Sequence, residues 1–350
     1  MTPGQPRHIP VLLSEVLEAL NLKPGARIID GTFGAGGYSR AILDATGDAE
    51  VLALDRDATA VAAAAPMTAR YHGRLSVVLA PFSELEQIAR GPLTTTSGDR
   101  PAAFAAPDGI VLDIGVSSMQ IDTAERGFSF MADGPLDMRM GQTGPTAADF
   151  INSADEADIA DVLFQFGEER RSRAVARAIV RARDASPVTT TRALARIVEK
   201  TLGRPRGDEK HPATRTFQAL RIHINDELGE LAAALDGAER ILPPGGRLVI
   251  VTFHSLEDRI VKRFFARRSR PQSPGSRHGP PVHSIQVFEP SFRIVNRNPL
   301  TASEDELAAN PRARSAKLRA AERTAAPAFT PDDPAELGIP GGSSGRSGRR

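Results

Sequence analysis

The stretch Arg27-Ile28-Ile29-Asp30-Gly31-Thr32-Phe33-Gly34-Ala35-Gly36-Gly37-Tyr38 constrains this chain more than any other, because an apolar strand runs without a break into a glycine-dense turn. Four glycines within seven residues, Gly31, Gly34, Gly36 and Gly37, free the backbone to take positive φ and to approach a ligand with no Cβ in the way. A second apolar run, Val51-Leu52-Ala53-Leu54-Asp55, ends in a carboxylate about where a parallel sheet sets an acceptor beside a ribose. Strand, glycine turn, helix, strand and acid make one βαβ unit. Such a unit places the ligand crevice at the carboxyl ends of the strands.

A chain of 350 residues has room for two domains. Its 25% charged and 41% hydrophobic residues and net charge of +1 describe an ordinary globular protein, so any basic surface must be local. No apolar run approaches the roughly 20 residues of a membrane span, and the N-terminus lacks the apolar core of a signal peptide, so a cytoplasmic protein is expected. There is no cysteine, which removes disulfides, thiolate metal sites and every mechanism with a thiol nucleophile. The seven histidines make no His-Glu-x-x-His helix, and His278 and His283 fall in a Pro/Gly-rich loop, so no metal site is expected.

In chain order, the spacing predicts a helix over Ser14–Leu20 after the tail carrying His8, which either closes over a ligand or stays exposed. An Ala-rich helix begins near Ala58, and a third strand, Leu75–Leu79, precedes Phe82, whose ring either flanks a nucleoside base or fills the core. Gly91 to Pro107 reads as a low-complexity bridge. The fourth strand, Gly109–Ser118, is apolar until Asp113 and then turns small and polar, placing Asp113, Ser117 and Ser118 at the crevice of Asp55. Met119 to Met140 is a long loop without periodicity. Thr146 to about Leu202 is purely helical, and in its third helix Arg170, Arg173, Arg177 and Arg181 share a face that is either solvated or meets phosphates. After a long amphipathic helix, the strand Arg247–Phe253 delivers His254, Ser255, Glu257 and Asp258 as a third polar cluster. The helix that follows carries Arg259, Lys262, Arg263, Arg267, Arg268 and Arg270 with no matching acid beyond Asp258, the strongest basic patch in the chain. Ser284–Phe288 and Phe292–Val295 are candidate edge strands, Pro311–Arg323 reads as a second basic segment, and the Pro-, Gly- and Ser-rich Thr324–Arg350 as a disordered tail.

The turn has no Gly-Lys-Ser/Thr, so a nucleoside triphosphatase is poorly supported, and a Gly-x-Gly-x-x-Gly started at Gly34 ends on Ser39. S-adenosylmethionine carries no phosphate and needs only close backbone approach, an acid for the ribose hydroxyls and walls for adenine. With arginines around such a donor, a nucleic-acid base is a natural acceptor. Methylation of cytosine C5 normally takes a cysteine nucleophile, whereas transfer to an exocyclic amine or a hydroxyl needs only an in-line nucleophile and a proton acceptor. Asp113, Ser117, Ser118 and His254 are the candidates for that work, on a base that is unstacked or single-stranded.

Asp30-Gly31-Thr32-x-Gly34-x-Gly36-Gly37, Leu112-Asp113-x-Gly115-Val116-Ser117-Ser118, the run Glu125 to Met140, His211 to Ala219, Phe253 to Arg259 and Asn310 to Ser315 together resemble the bacterial small-subunit rRNA cytosine-N4 methyltransferase family from about His8 to Arg323. The resemblance implies methyl transfer from S-adenosylmethionine to N4 of a decoding-region cytosine in 16S rRNA or the small ribosomal subunit, with no membrane and no obligate protein partner. It implies an α/β class I (Rossmann-like) methyltransferase core with a mostly parallel sheet, interrupted by an inserted all-helical domain. The core would occupy 1–118 and 210–323, the linking loop and helical domain 119–209, and the tail 324–350. By position, Gly36, Gly37, Tyr38, Asp55, Phe82, Asp113 and Gln120 would hold the donor, Asp113 and His254 would be catalytic, and Arg173, Arg177, Arg259, Lys262, Arg263 and Arg267 would meet RNA. The sequence departs from the family at Tyr38, where histidine is frequent, and at Met119, where proline is. A non-catalytic RNA-binding assembly factor with a vestigial cofactor fold is the alternative.

Overall fold

Short runs of Ile, Val, Leu and Ala with no polar residue between them favour strands buried on both faces, the hallmark of a sheet covered by helices. Nine strands form among the described residues: β1 (Arg27–Asp30), β2 (Glu50–Asp55), β3 (Leu75–Leu79), β4 (Leu93–Thr95), β5 (Gly98–Arg100), β6 (Gly109–Asp113), β7 (Arg247–Thr252), β8 (Phe292–Ile294) and β9 (Lys317–Arg323). The computed structural model describes residues 10–95, 98–100, 104–203, 211–270 and 289–340. His8, His278, His283 and the candidate strand Ser284–Phe288 lie outside the described residues. Two compact units emerge, Met1–Gly115 with Glu230–Gly338, and Val116–Gly229 with Ile339–Arg350.

The first unit holds a seven-stranded sheet in the order β3-β2-β1-β6-β7-β9-β8. The first five strands are parallel, β9 runs antiparallel to β7, and β8 antiparallel to β9. Parallel register sets the carboxyl ends side by side: Asp30 lies opposite Val111, Asp55 opposite Leu79 and Asp113 opposite Val251. This is the mostly parallel, Rossmann-like sheet expected of the core. Helices α1 (Leu13–Leu20), α2 (Gly37–Ala45), α3 (Ala58–Ala63), α4 (Ala65–Arg70) and α5 (Leu85–Arg90) belong to its first segment. The single Ala-rich helix expected from Ala58 is two, since Pro66 opens the second and has no N–H to continue the first.

The second unit contains α6 (Ser118–Asp122), α7 (Ala147–Ser153), α8 (Glu156–Gly167), α9 (Ser172–Ala185), α10 (Thr191–Leu202) and α11 (Ala213–Asn225). Thr146 and Asp149 form a capping box that starts α7, and the Thr190 hydroxyl accepts from Ala193 N to start α10. Buried Leu163, Val175, Ile179, Leu194, Val198 and Leu220 lie on the inward faces of α8 to α11. The chain then re-enters the first unit through α12 (Glu227–Ile241), β7, α13 (Ser255–Ser269), β8, α14 (Glu304–Ala309), β9 and α15 (Pro334–Leu337).

Three expectations are corrected. The bridge Gly91–Pro107 contains the β4–β5 hairpin. The basic segment Pro311–Arg323 ends in β9, whose Leu318, Ala320 and Ala321 are buried beside β7 and whose cations are internally engaged. Arg319 Nε donates to Asp258 Oδ1 at 2.7 Å, and Arg323 donates to the carbonyls of Glu239, Ser291, Thr324 and Ala326. Disorder from Thr324 onward does not hold as far as Pro340. Asp332 accepts from Arg267 Nε at 2.7 Å and from Arg268 Nη1, and Leu337 is fully buried. Composition missed this because an ion pair to a distant helix leaves no local signature.

Candidate active site

Three parallel strands of the first unit end in aspartate, and the glycine loop ties them together. Gly34 N donates to Asp55 Oδ2 at 2.7 Å and Asp57 N to Asp55 Oδ1 at 2.8 Å, so the β2 carboxylate is clamped by the loop on one side and its own turn on the other. Thr32 Oγ1 accepts from Asp113 N at 2.7 Å, which fastens the same loop to the end of β6. Asp30 is buried beneath it, accepting from Thr32 N at 3.1 Å and from the Ser39 hydroxyl at 2.7 Å. Gly31, Gly34, Gly36, Asp55 and Asp113 therefore converge on one end of the sheet.

The glycines are required sterically. Gly36 has φ +73°, and a Cβ there would meet Met67 Cε at 2.5 Å; at Gly31 a Cβ would lie 2.3 Å from Leu112 Cδ2 and 3.2 Å from Phe82 Cβ. The second contact brings half-buried Phe82 to the loop. At Gly37 a Cβ would strike Pro10 Cγ at 2.3 Å, so the N-terminal segment packs on the start of α2. Tyr38 is buried, and its hydroxyl donates to the Val11 carbonyl, which gives this side chain a fastening role where the family often has histidine.

The acids repel one another and are poorly hydrated. Burial, then the charges of Asp30 and Glu257, push Asp113 up to about 8, and burial lifts Asp30 to about 6 despite the Ser39 and Thr32 hydrogen bonds. Burial also raises Asp55, against the two backbone donors that hold its ionised form. Asp113 Oδ1 is buried with no hydrogen-bond partner. A group of carboxylates at the strand ends, one offering an unsatisfied oxygen, suits a ligand that carries positive charge and N–H or O–H donors.

His254 caps α13: its Nδ1 accepts from Glu257 N at 3.4 Å, and its Nε2 lies 2.8 Å from Glu257 Oε1. Glu257 is fully buried and its Oε2 accepts from Phe253 N at 2.8 Å and His254 N at 3.2 Å. In the second unit Ser117 caps α6. Ser117 Oγ accepts from Gln120 N at 3.2 Å and Gln120 Oε1 accepts from Ser117 N at 3.0 Å, with Ser118 the first residue of the helix. Asp30, Thr32 and Ser39 were not singled out from sequence, and Glu257 was named there only as one of the polar cluster after the strand, without a role. Asp30 carried the same signal as Asp55 and Asp113, an acid closing an apolar strand, whereas Thr32 and Glu257 act through contacts that only the fold creates.

Arg173 and Arg177 are exposed on α9, with Arg177 Nε 3.5 Å from Glu156 Oε1. Arg259, Lys262 and Arg263 are exposed on α13, the last with its guanidinium against Gly338. The expectation that α13 lacks matching acids is corrected. Arg267 pairs with Asp332 at 2.7 Å and Glu336 at 2.8 Å, and buried Arg268 pairs with Asp236 at 3.0 Å, Glu239 at 2.5 Å and Asp332. Asp258 serves Lys317 and Arg319 on β9. The acids come from elsewhere in the chain, so the helix read alone overstated its free charge.

A family model described as the MraW methylase family matches residues 5–324. Proteins named Ribosomal RNA small subunit methyltransferase H are similar along nearly the whole chain. The one from Methylobacterium sp. (strain 4-46) is 58% identical over 325 residues, covering 93% of each chain. That from Xanthobacter autotrophicus is 55% identical over 347 residues, covering 99% of this chain and 96% of its own. That from Bradyrhizobium diazoefficiens is 56% identical over 325 residues, covering 93% and 94%.

Proposed function

Because the chain belongs to the MraW methylase family, we propose that it transfers a methyl group from S-adenosylmethionine to the exocyclic N4 of a decoding-region cytosine, position 1402, of 16S rRNA. The observation that supports this reading most is the loop clamped between Asp55 and the end of β6, beside the unsatisfied Asp113 Oδ1. Those residues fit the donor: backbone approach at Gly34 to Gly37, a carboxylate at Asp55 for ribose hydroxyls, the Phe82 ring and Asp113 for the base, and carboxylate charge for a sulfonium. When bound, the donor supplies an electrophilic methyl group on positively charged sulfur.

The chain's own residues supply placement and proton handling. Asp55 is fixed by two backbone donors, so it meets a ribose without reorganising. Asp113, uncharged below about pH 8, can donate or accept at Oδ1. A cytosine amine held in line with the methyl must lose a proton as the bond forms; His254, oriented by Glu257, is suited to receive it, and Asp113 is suited to do so in its ionised form. The loop at Tyr38 completes the donor site of the first unit in this reading, and the exposed Arg259, Lys262 and Arg263 of that unit, like Arg173 and Arg177 of the second, are proposed to meet RNA. Arg267 is assigned to holding the C-terminal segment. The reaction places the protein in the cytoplasm with the small ribosomal subunit.

Transfer of tritium from labelled donor to small-subunit particles carrying the unmodified cytosine tests the proposal. Methyl incorporation at N4 is the expected result. RNA binding without either transfer or affinity for S-adenosylhomocysteine would replace the enzyme by a non-catalytic assembly factor.

A further inference from the structure

In the second unit the long loop after α6 is fastened to the first turn of α10. Thr191 N donates to Gly134 O at 3.0 Å, Gly134 N to Thr191 Oγ1 at 3.2 Å, and Arg192 N to Asp133 Oδ1 at 3.1 Å. The loop packs Phe128 and Phe130 partly against its core and leaves Met131 outside it. Met131 is 83% exposed. Phe130 is half-buried, its ring 4.6 Å from the His211 ring with the planes 30° apart and 5.0 Å from Phe217 edge-on. His211 Nδ1 accepts from Ala213 N at 3.1 Å, which assigns the neutral ring's proton to Nε2 as a donor.

The helix presents charge of one sign. Arg192, Arg196 and Lys200 recur every fourth residue, are exposed, and form no ion pair among the described residues. At 1.5 Å per residue they make a line about 12 Å long. From Arg170 to Lys200 the chain has nine Lys or Arg against two acids, Asp184 and Glu199, so this is not the mixed-sign face of a merely solvated helix. Arg192 and Arg196 lie near enough to Asp133 for their charge to act on it, which makes loop and stripe neighbours.

We propose that the loop Phe128–Asp133 and the Arg192–Lys200 face of α10 form a cradle for single-stranded RNA, with a base stacked on the Phe130–His211 ledge beside Met131 and phosphates running along the cations. The proposal rests on RNA being the substrate and names where and in what form it is held. Single-stranded RNA is the occupant because an aromatic ledge next to a cationic track can be used only by a base whose face is free, whereas an A-form duplex keeps its bases stacked inside.

The test is fluorescence anisotropy of the full chain with a short fluorescein-labelled, cytosine-containing single-stranded oligoribonucleotide at several salt concentrations. The triple variant Arg192→Glu, Arg196→Glu, Lys200→Glu should bind at least ~10-fold more weakly and lose about 2 from the log–log salt slope, as expected for three phosphate contacts on a single strand. Phe130→Leu and Met131→Ser should weaken binding roughly 5-fold or more with the slope unchanged. S-adenosylhomocysteine affinity should be the same in all of them. Met131 is exposed enough for its variant to fold, which guards against a collapsed Phe130→Leu protein. Unchanged affinity and slope in the triple and Met131 variants, or equal binding of the annealed duplex, would overturn the cradle. So would loss of small-subunit capture with oligonucleotide affinity intact, which would assign the face to a protein. A wild type that binds this RNA through the cradle yet transfers no methyl group would sink the catalytic reading instead.

Discussion

Asp113 is where burial, charge and hydrogen bonding disagree most sharply. Its carboxyl keeps a proton to about pH 8 in the folded chain, against 3.8 as a free side chain, with burial the main cause and Asp30 and Glu257 adding repulsion. A folded-state pKa raised in this way means stability falls as pH climbs from about 4 to about 8 and levels off above. Asp113→Asn should therefore melt with wild type near pH 4 and progressively higher towards pH 8, by about 2–4 °C per kcal/mol gained. A melting difference that does not change with pH would refute the assignment. Asp55 is raised in the same direction by burial, but its two backbone donors favour the ion and oppose that shift. Asp55→Ala should weaken S-adenosylhomocysteine by roughly 1–3 kcal/mol in calorimetry, the loss when polar partners are left unmatched; unaltered affinity would remove Asp55 from the ribose.

At the scale of elements, most helix and strand positions were legible because their causes are local. The strand Leu75–Leu79 coincides with the expected run, the expected fourth strand Gly109–Ser118 stops at Asp113 because Ser117 caps a helix, and α10 begins within a residue of its expected start because Thr190 announces its cap. The loop from Met119 to Met140 was legible only as an interruption of the βα rhythm. Its order comes from distant partners. Asn225, at the end of α11, accepts from Met140 N at 2.7 Å and donates to Met138 O at 2.8 Å, while Gly127 and Gly134 admit carbonyls that a Cβ would strike at 2.3 and 1.9 Å. Asn225→Ala should cost about 1–3 kcal/mol by leaving buried backbone groups unpaired, and should speed hydrogen exchange at Met140 above all. Uniform exchange across the second unit would contradict this.

For the whole chain, the C-terminal segment is the part that composition misjudged. Arg268 is completely buried, stacked 3.8 Å over the Phe264 ring and paired with Asp236, Glu239 and Asp332, and Glu239 also accepts from the Ser291 hydroxyl at 2.5 Å. Removing residues after Arg323 takes away Asp332 and leaves part of a buried cation unpaired, a loss of about 3–5 kcal/mol. The truncated chain should melt well below the full one, where a truly disordered tail would leave the melting temperature alone. Arg267 is tied to Asp332 and Glu336, so reversing its charge should lower stability in addition to any effect on RNA, whereas reversal at exposed Lys262 should not.

The amino-acid order alone determined the βαβ start, the glycine floor, the acids that close the strands and the helical nature of the middle third, because periodicity, capping and glycine freedom act within a few residues of their cause. The tertiary structure decided which acids meet: that Asp30 and Glu257 share the field of Asp113, that β9 slots beside β7, and that Arg267 and Arg268 of α13 are both answered by Asp332, 65 and 64 residues away. Charge pairing and desolvation depend on distance through space, and no pattern read along the chain fixes that distance.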